Sequence, residues 1–294
     1  MRGWWQDLTD LVLPAQCAGC EAPRTLLCPR CRAALHGTAP RRVRPVPEPA
    51  GLPVVHAAAP YADEVRTLLL AHKERGALAL AGALGTALAG AVRAGLHRRE
   101  GAAGAQVRGP VLLVPVPSAP WAVRARGHDP VRRTALAAAG ELRRTGTPAR
   151  VAAVLRQRRA VADQAGLDAR RRLENLAGAL EVTPGGGRLL GAGRVVLVDD
   201  LITTGASLAE AARAVREGSG GLVERMNEGG TGVSKVVYGP VCREGREERR
   251  NGARHERGKW VHGASDKTAE NSPGSGLRAA VIAAPRDSFE ITGT

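Results

Sequence analysis

The run Val195-Val196-Leu197-Val198-Asp199-Asp200-Leu201-Ile202-Thr203-Thr204-Gly205-Ala206-Ser207 sets two carboxylates and a hydroxyl-rich turn directly after an apolar stretch. Such a stretch suits a strand buried on both faces of a parallel sheet, and the Ala- and Leu-rich segment from Ala206 to Arg216 has helical composition. Between them, Thr203, Thr204 and Gly205 offer backbone N–H groups at a helix N-terminus. The macrodipole there favours an anion, and glycine permits close approach. Asp199 and Asp200 at the strand's end face a polyol or a divalent cation, because carboxylates accept from sugar hydroxyls and are hard oxygen ligands for Mg²⁺. The run therefore reads as a nucleotide-sugar or phosphoribosyl site, with Thr203, Thr204, Gly205, Ala206 and Ser207 as its phosphate cradle. The plainer alternative is a strand-to-helix turn whose Asp pair only caps the helix. A Walker A loop needs Lys after its last Gly, where Ala206 stands. No G-x-G-x-x-G follows a strand with an acidic residue at the distance a dinucleotide site needs.

Cys17, Cys20, Cys28 and Cys31 form two C-x-x-C pairs separated by seven residues, among Pro14, Gly19, Pro23 and Pro29. Each pair can present two thiolates to one tetrahedral Zn²⁺. So short a segment cannot bury enough apolar surface to fold without help, which metal binding would supply. Four thiolates leave no open coordination position, so the expected role is structural. Disulfides are the alternative for a chain in an oxidising compartment, and a redox C-x-x-C calls for a strand–helix junction. Cys242 stands apart from the cluster.

The other elements can be placed around these two sites. Val54 to Tyr61 predicts a first strand. His72-Lys73-Glu74-Arg75-Gly76 lies between two apolar helical stretches, so Lys73, Arg75 and Gly76 make a candidate pyrophosphate loop, or else a solvated helix–helix turn. Val111 to Pro117 predicts a second strand, followed by a loop from Ser118 to Asp129 that carries Arg124, Arg126 and His128. Arg can grip phosphate with two parallel hydrogen bonds. Val151 to Leu155 predicts a third strand. The basic stretch from Arg156 to Asn175, with Gln164, Arg172 and Asn175, is a lid over the substrate or an exposed helix. Pro40 to Pro53 reads as a linker and domain boundary, since its prolines disfavour helix and central strand.

At 294 residues the chain accommodates one α/β domain and a small module, and 44% hydrophobic content supports a real core. With only 2% aromatic residues, that core has to be built from Ala, Val and Leu. The net charge of +15 suits a polyanionic partner, while solvated arginine-rich faces explain it equally well. The apolar start at Trp4 and Trp5 is interrupted by Asp7 and Asp10, which argues against a secretory signal. Ala77 to Val92 is uncharged but shorter than the ~20 residues that span a bilayer. The expectation is a soluble, cytoplasmic protein with no membrane span. Glu217 to Gly276 shows no sustained helical or strand period and reads as an insertion, after which Leu277 to Ala284 resumes as a strand.

The loop Asp-Asp-x-x-Thr-Thr-Gly resembles the signature by which type I phosphoribosyltransferases bind phosphoribosyl pyrophosphate (PRPP). The chain as a whole resembles the ComF family, competence-associated phosphoribosyltransferase-like proteins that include the GntX group. The resemblance rests on the order of the cysteine pairs, the Lys73–Gly76 turn, the Val-Pro-Val-Pro strand with Arg126-Gly127, the Gln164/Arg172/Asn175 run and the Asp-Asp loop. It covers roughly residues 8 to 217 and resumes at 277.

What the resemblance implies is a type I phosphoribosyltransferase-like parallel sheet with helices on both faces. A zinc-ribbon-like module at 1–39 and a linker at 40–53 would precede the domain at 54–294, interrupted at about 217–276. In that scheme the Thr203–Ser207 cradle holds the 5′-phosphate of PRPP, and Asp199 and Asp200 are the catalytic pair, engaging the ribose hydroxyls directly or with Mg²⁺. Lys73, Arg75 and Gly76 hold pyrophosphate, while Arg126, Gln164, Arg172 and Asn175 belong to the substrate side or a lid. The implied activity is pentosyl transfer with pyrophosphate release, linked to DNA uptake or nucleotide salvage. A non-catalytic ligand sensor or single-stranded-DNA-binding module in competence is the alternative. Arg126-Gly127-His128-Asp129-Pro130 stands where the family has Arg-Gly-Phe-Asn-Gln, so an aromatic platform and two amides are missing.

Overall fold

Side chains of the central strands alternate between two apolar environments, and that alternation fixes the layers of the protein. The computed structural model describes residues 16–97, 109–159, 169–227 and 277–290. Its strands are β1 (Arg41–Val43), β2 (Val54–Pro60), β3 (Val111–Pro115), β4 (Ala149–Val151), β5 (Leu155–Gln157), β6 (Leu180–Val182), β7 (Arg194–Leu201) and β8 (Arg278–Ala284). Its helices are α1 (Pro29–His36), α2 (Asp63–Glu74), α3 (Ala81–His97), α4 (Pro120–Arg126), α5 (Pro130–Arg144), α6 (Ala169–Leu176), α7 (Gly186–Leu190) and α8 (Ala206–Asn227). Six strands form a sheet in the order β1-β2-β8-β7-β3-β4, parallel throughout except for the antiparallel edge strand β1. β5 and β6 form a separate antiparallel hairpin. The protein is thus α/β with a mostly parallel sheet.

Val111, Leu113, Val196, Val198, Ala280 and Ile282 face a core shared with α2, α3 and α5. Their alternates Leu112, Val114, Leu197, Ala279 and Val281 face a second core under α8, α7 and the β5–β6 hairpin. Burial on both faces is what a parallel sheet requires. With few aromatic rings available, the layers close by approach of small residues: a Cβ added at Gly85 of α3 would lie 2.5 Å from the Ala137 Cβ of α5. The cysteine segment is continuous with the first core, where Cys17, Leu27, Cys28, Cys31 and Leu35 pack with Leu68 and Leu69 of α2.

On the second face, Glu210 of α8 is buried and accepts from Arg213 Nε at 2.8 Å, Arg213 Nη2 at 2.7 Å and the Leu180 backbone N–H at 2.9 Å. Arg213 Nη2 also donates to the Leu180 carbonyl at 2.7 Å. One ion pair on the helix thereby fixes the β5–β6 hairpin against it.

Several elements differ from the sequence expectation for local reasons. Residues 118–129 are not a plain loop: Pro120 at the first helical position starts α4, and Gly127, at φ +74°, ends it in the left-handed conformation. The stretch 151–155 is split. Ala152 N makes a last sheet bond to the Leu113 carbonyl, and Val154 N then turns back on the Ala152 carbonyl, so that Leu155 begins the hairpin. Within 40–53, β1 is tolerated between Pro40 and Pro45 because it is a three-residue strand at the sheet edge, paired with β2 and met on its other side only by 288–290, where Val43 bridges Phe289.

The break expected at Glu217 is absent from the backbone, since α8 continues to Asn227. Gly218, a weak helix former, is there for packing: a Cβ at this position would meet Val182 Cγ2 at 2.6 Å. The rest of the expected insertion, 228–276, lies outside the described residues. Beyond it, β8 inserts between β2 and β7 in the middle of the sheet.

Among the described residues, one stretch, Leu78–Leu96, is long and apolar enough to cross a membrane, with a mean hydropathy of 1.4, and half of it is buried inside the protein. It overlaps the run expected from sequence, Ala77 to Val92, and reaches four residues further, through Arg93 to Leu96. Its Leu84, Leu88, Ala91 and Val92 belong to the first core.

The sheet order creates a switch point. After β3 the chain crosses through α5 to β4 on one side, whereas α8 leaves β7 over the opposite face. The crevice beyond the carboxyl ends of β3 and β7 is where open α/β sheets bind ligands.

Candidate functional site

β7 delivers Asp199 and Asp200 to that crevice. Asp199 pairs with Val281 and Leu201 with Ala283 of β8, and Ile202 N continues the ladder to the Ala283 carbonyl at 3.1 Å. The chain then turns through Thr203, Thr204 and Gly205 into α8. Gly205 sits at φ +76°, and a Cβ on it would lie 3.2 Å from Pro49 and Leu52. Any other residue would be strained by both conformation and space. Thr204 Oγ1 accepts from Ala206 N at 3.4 Å, and the Gly205 carbonyl accepts the helical bond from Ala209 N at 2.9 Å. Asp199 and Leu201–Leu208 line a small solvent-open concavity, with Thr203 exposed and Thr204 and Ser207 partly buried at its wall. The sequence-predicted residues Thr203, Thr204, Gly205, Ala206 and Ser207 thus wrap one cavity at a helix N-terminus, a geometry suited to an anion.

The acidic pair is electrostatically uneven. Asp200 is 13% exposed, and its Oδ2 lies 2.9 Å from Lys73 Nζ, at the end of α2. The charge of Asp200 raises the Lys73 value above the usual lysine range against the effect of burial. Asp199 accepts from the Asp200 backbone N–H at 2.8 Å. Burial, followed by the neighbouring Asp200 charge, drives its carboxyl well above the usual carboxylate range. A cation is therefore already in contact with one carboxylate, while at the other the nearby Lys73 charge and the Asp200 N–H only partly offset the cost of ionising.

The contact between Lys73 and Asp200 bridges 127 positions and brings the expected pyrophosphate turn to the acidic pair. Arg75 Nη2 folds back to the Thr67 carbonyl at 3.3 Å, and Gly76 ends the turn at φ +68° with open space beside it. Arg126 of α4 is gripped by Glu74 through two bonds, Nε to Oε2 at 2.8 Å and Nη2 to Oε1 at 2.7 Å. His128 faces two carbonyls, with Nδ1 3.0 Å from Arg126 O and Nε2 3.3 Å from His72 O. His72 is buried against Thr134 and the Ala77 carbonyl, and burial holds it below the usual histidine range.

Arg172 and Asn175 lie on α6, which packs on α8 on the other face of the sheet. Gln164 lies outside the described residues. No local pattern in the sequence marks Glu74 as a partner for Arg126, or Pro49 and Leu52 as the floor beneath Gly205. These pairings span distances along the chain that no local spacing reveals. The prolines of 40–53 were the available signal, and they point to a turn as readily as to a wall.

The thiol sulfurs of Cys17, Cys20, Cys28 and Cys31 all lie within 4.8 Å of one another, placing them to hold a metal ion. No disulfide joins them. Cys17 Sγ accepts from Cys28 N at 3.3 Å, Cys28 Sγ accepts from Cys31 N at 3.4 Å, and the sulfurs of Cys20 and Cys28 are 3.4 Å apart. Burial pushes the Cys17 thiol up, but N–H donors from Cys28, Gly19 and Cys20 outweigh it and bring the group down to about 6. Burial, then the neighbours Cys20 and Cys28, push Cys31 up. A cation among the sulfurs would remove this mutual opposition to ionising.

Fold and site together define an α/β protein with a parallel sheet, an anion-suited loop at its switch point and a four-cysteine cluster. Comparison with protein-family models and with curated proteins found no match.

Proposed function

We propose that this chain is a PRPP-binding protein of the ComF type, with a type I phosphoribosyltransferase-like sheet and a structural zinc centre. The observation that carries the proposal is the Lys73–Asp200 contact. It brings the only turn predicted from sequence to bind pyrophosphate onto the acidic pair beside the phosphate cradle. The 5′-phosphate takes the N–H groups and hydroxyls of Thr203–Ser207, the ribose hydroxyls face Asp199 and Asp200, and the diphosphate lies towards Lys73, Arg75 and Gly76.

The two carboxylates form a hard oxygen donor set, and the Lys73 ammonium is a stand-in cation upon it, so the residues fit Mg²⁺. Bound there, Mg²⁺ would supply charge neutralisation for diphosphate. The chain's own part in transfer is positioning and electrostatic. The bond from the anomeric carbon to diphosphate breaks as the acceptor's bond forms, and Lys73 and Arg75 stabilise the charge that develops on the departing oxygen. No covalent protein nucleophile is required.

Calorimetric titration of the full chain with PRPP and Mg²⁺ tests this reading. Saturable binding, lost in the Asp199→Asn/Asp200→Asn variant, is the expected result; no binding by a folded wild-type protein would overturn it. For the cysteines, four soft sulfur ligands fit Zn²⁺ in a closed structural site. Elemental analysis should give one zinc per chain, and Cys31→Ser should lower both that content and thermal stability.

A second reading, a single-stranded-DNA-binding module, is favoured by α4. Trp121 is 52% exposed there with Arg124 exposed one turn on, an aromatic face and a cation of the kind that stack on and track a single strand. Strongly salt-dependent binding of an oligonucleotide that quenches Trp fluorescence, lost in Trp121→Ala, would support it.

A further inference from the structure

In the free protein the two cations of the diphosphate turn, and Arg126 of α4 beside it, are each engaged by an acceptor of the protein itself. Lys73 is on the Asp200 carboxylate at 2.9 Å, Arg75 is on the Thr67 carbonyl at 3.3 Å, and Arg126 is chelated by Glu74. Arg75 and Arg126 have further N–H groups to offer while these bonds last, because a guanidinium carries five donors in a fixed fork. Lys73 also keeps N–H donors beyond the one on Asp200, but its charge is a single compact ammonium, partly buried, and its partner is a mostly buried carboxylate. An incoming diphosphate therefore meets Asp200 as a rival for the same cation.

We propose that Lys73 is an exchangeable internal counter-ion, which neutralises Asp200 in the free protein and passes to the diphosphate group of the ligand when another cation replaces it on that carboxylate. The inference rests on the reading of this turn as a diphosphate site. Two properties follow. Diphosphate without a metal binds weakly, because it must strip Lys73 from Asp200. A cation arriving at Asp200 and a diphosphate arriving at Lys73 assist each other, and linkage makes that assistance equal in both directions. The residue that holds the leaving group thereby also couples metal occupancy to ligand occupancy.

The test is a double-mutant cycle on the full chain, titrated calorimetrically with inorganic pyrophosphate in buffer without added magnesium. Thermal melts first establish that each variant is folded. Asp200→Asn frees Lys73 without removing it, and should tighten pyrophosphate binding by about tenfold. Asp199→Asn removes the same formal charge next door but leaves the Lys73 pair intact, and should give a smaller gain. In a Lys73→Met background the gain from Asp200→Asn should disappear. A gain that persists at full size in that background would be simple relief of repulsion and would overturn the proposal, as would unchanged or weaker binding by Asp200→Asn. If neither wild type nor Asp200→Asn binds pyrophosphate at all, the diphosphate-site reading itself fails and this inference falls with it.

Discussion

Glu210 and Asp199 are carboxylates on one strand–helix unit, eleven residues apart, and their surroundings act on them in opposite directions. Glu210 is buried, and burial alone would raise its value; Arg213 and the Leu180 N–H outweigh this and hold it below the usual carboxylate range. Asp199 meets burial and the charge of Asp200 together, and its value is driven up. A carboxylate whose hydrogen bonds are all supplied by the protein is a fastening. One left short of positive charge, at the mouth of a concavity, is a place kept for something else. The difference locates the site more sharply than the abundance of polar residues does, since the surface carries arginines everywhere.

Removing the fastening should have the largest effect. Glu210→Ala takes the acceptor from the buried Leu180 N–H and from Arg213 Nε, while Arg213, about a third exposed, keeps Glu217 and the Leu180 carbonyl, and it should cost about 1.5–3 kcal/mol in denaturant unfolding. A loss under about 1 kcal/mol would put Glu210 among the ordinary surface pairs and dissolve the contrast.

The opposite sign is expected at the site. Asp199→Asn keeps an oxygen for the Asp200 N–H and removes the burial cost of charge, so the ligand-free protein should gain about 1 kcal/mol, a rise of roughly 2–4 °C in Tm, while PRPP binding is lost. A lower Tm would mean that the charge of Asp199 is compensated and that the site is another fastening.

The smallest effect is the most diagnostic. For a raised group such as Asp199, the stabilising contribution is complete below the ordinary carboxylate value and is lost as pH rises through the value in the fold. For Glu210 the window is reversed: its contribution is present above the ordinary value and disappears as pH falls through the lowered one. Stability curves against pH should therefore separate wild type from Asp199→Asn on the less acidic side, and wild type from Glu210→Gln on the acidic side. Parallel curves for either variant would remove that half of the contrast.

The strand that carries Asp199 and Asp200 was legible because four apolar residues, a carboxylate pair and a Thr-Thr-Gly turn are adjacent in the chain. The cysteine cluster was legible for the same reason, its ligand spacing being local. What escaped was either short or distant. α4 hides in a Pro-Trp-Ala-Val-Arg stretch with no long period, and the helical period is lost at Glu217 although Gly218 lies inside the helix and makes room for Val182. Lys73 reads from sequence as a pyrophosphate ligand, but its hold on Asp200 depends on how α2 meets the end of β7, which is a property of packing. Glu74 and Arg126 belong to the same class, as does the role of Pro49 and Leu52 beneath Gly205.

The position of β8 bears on how the protein is made. This strand follows residues 228–276 in the chain yet lies between β2 and β7, so a ribosome synthesises both neighbours long before the strand that joins them. Until then β2 and β7 each present an open row of backbone donors and acceptors, the kind of edge that recruits other nascent chains. Synthesis that stalled between residues 208 and 277 would release a protein with its cysteine cluster and its Asp-Asp-x-x-Thr-Thr-Gly loop already translated and the sheet beneath them split in two.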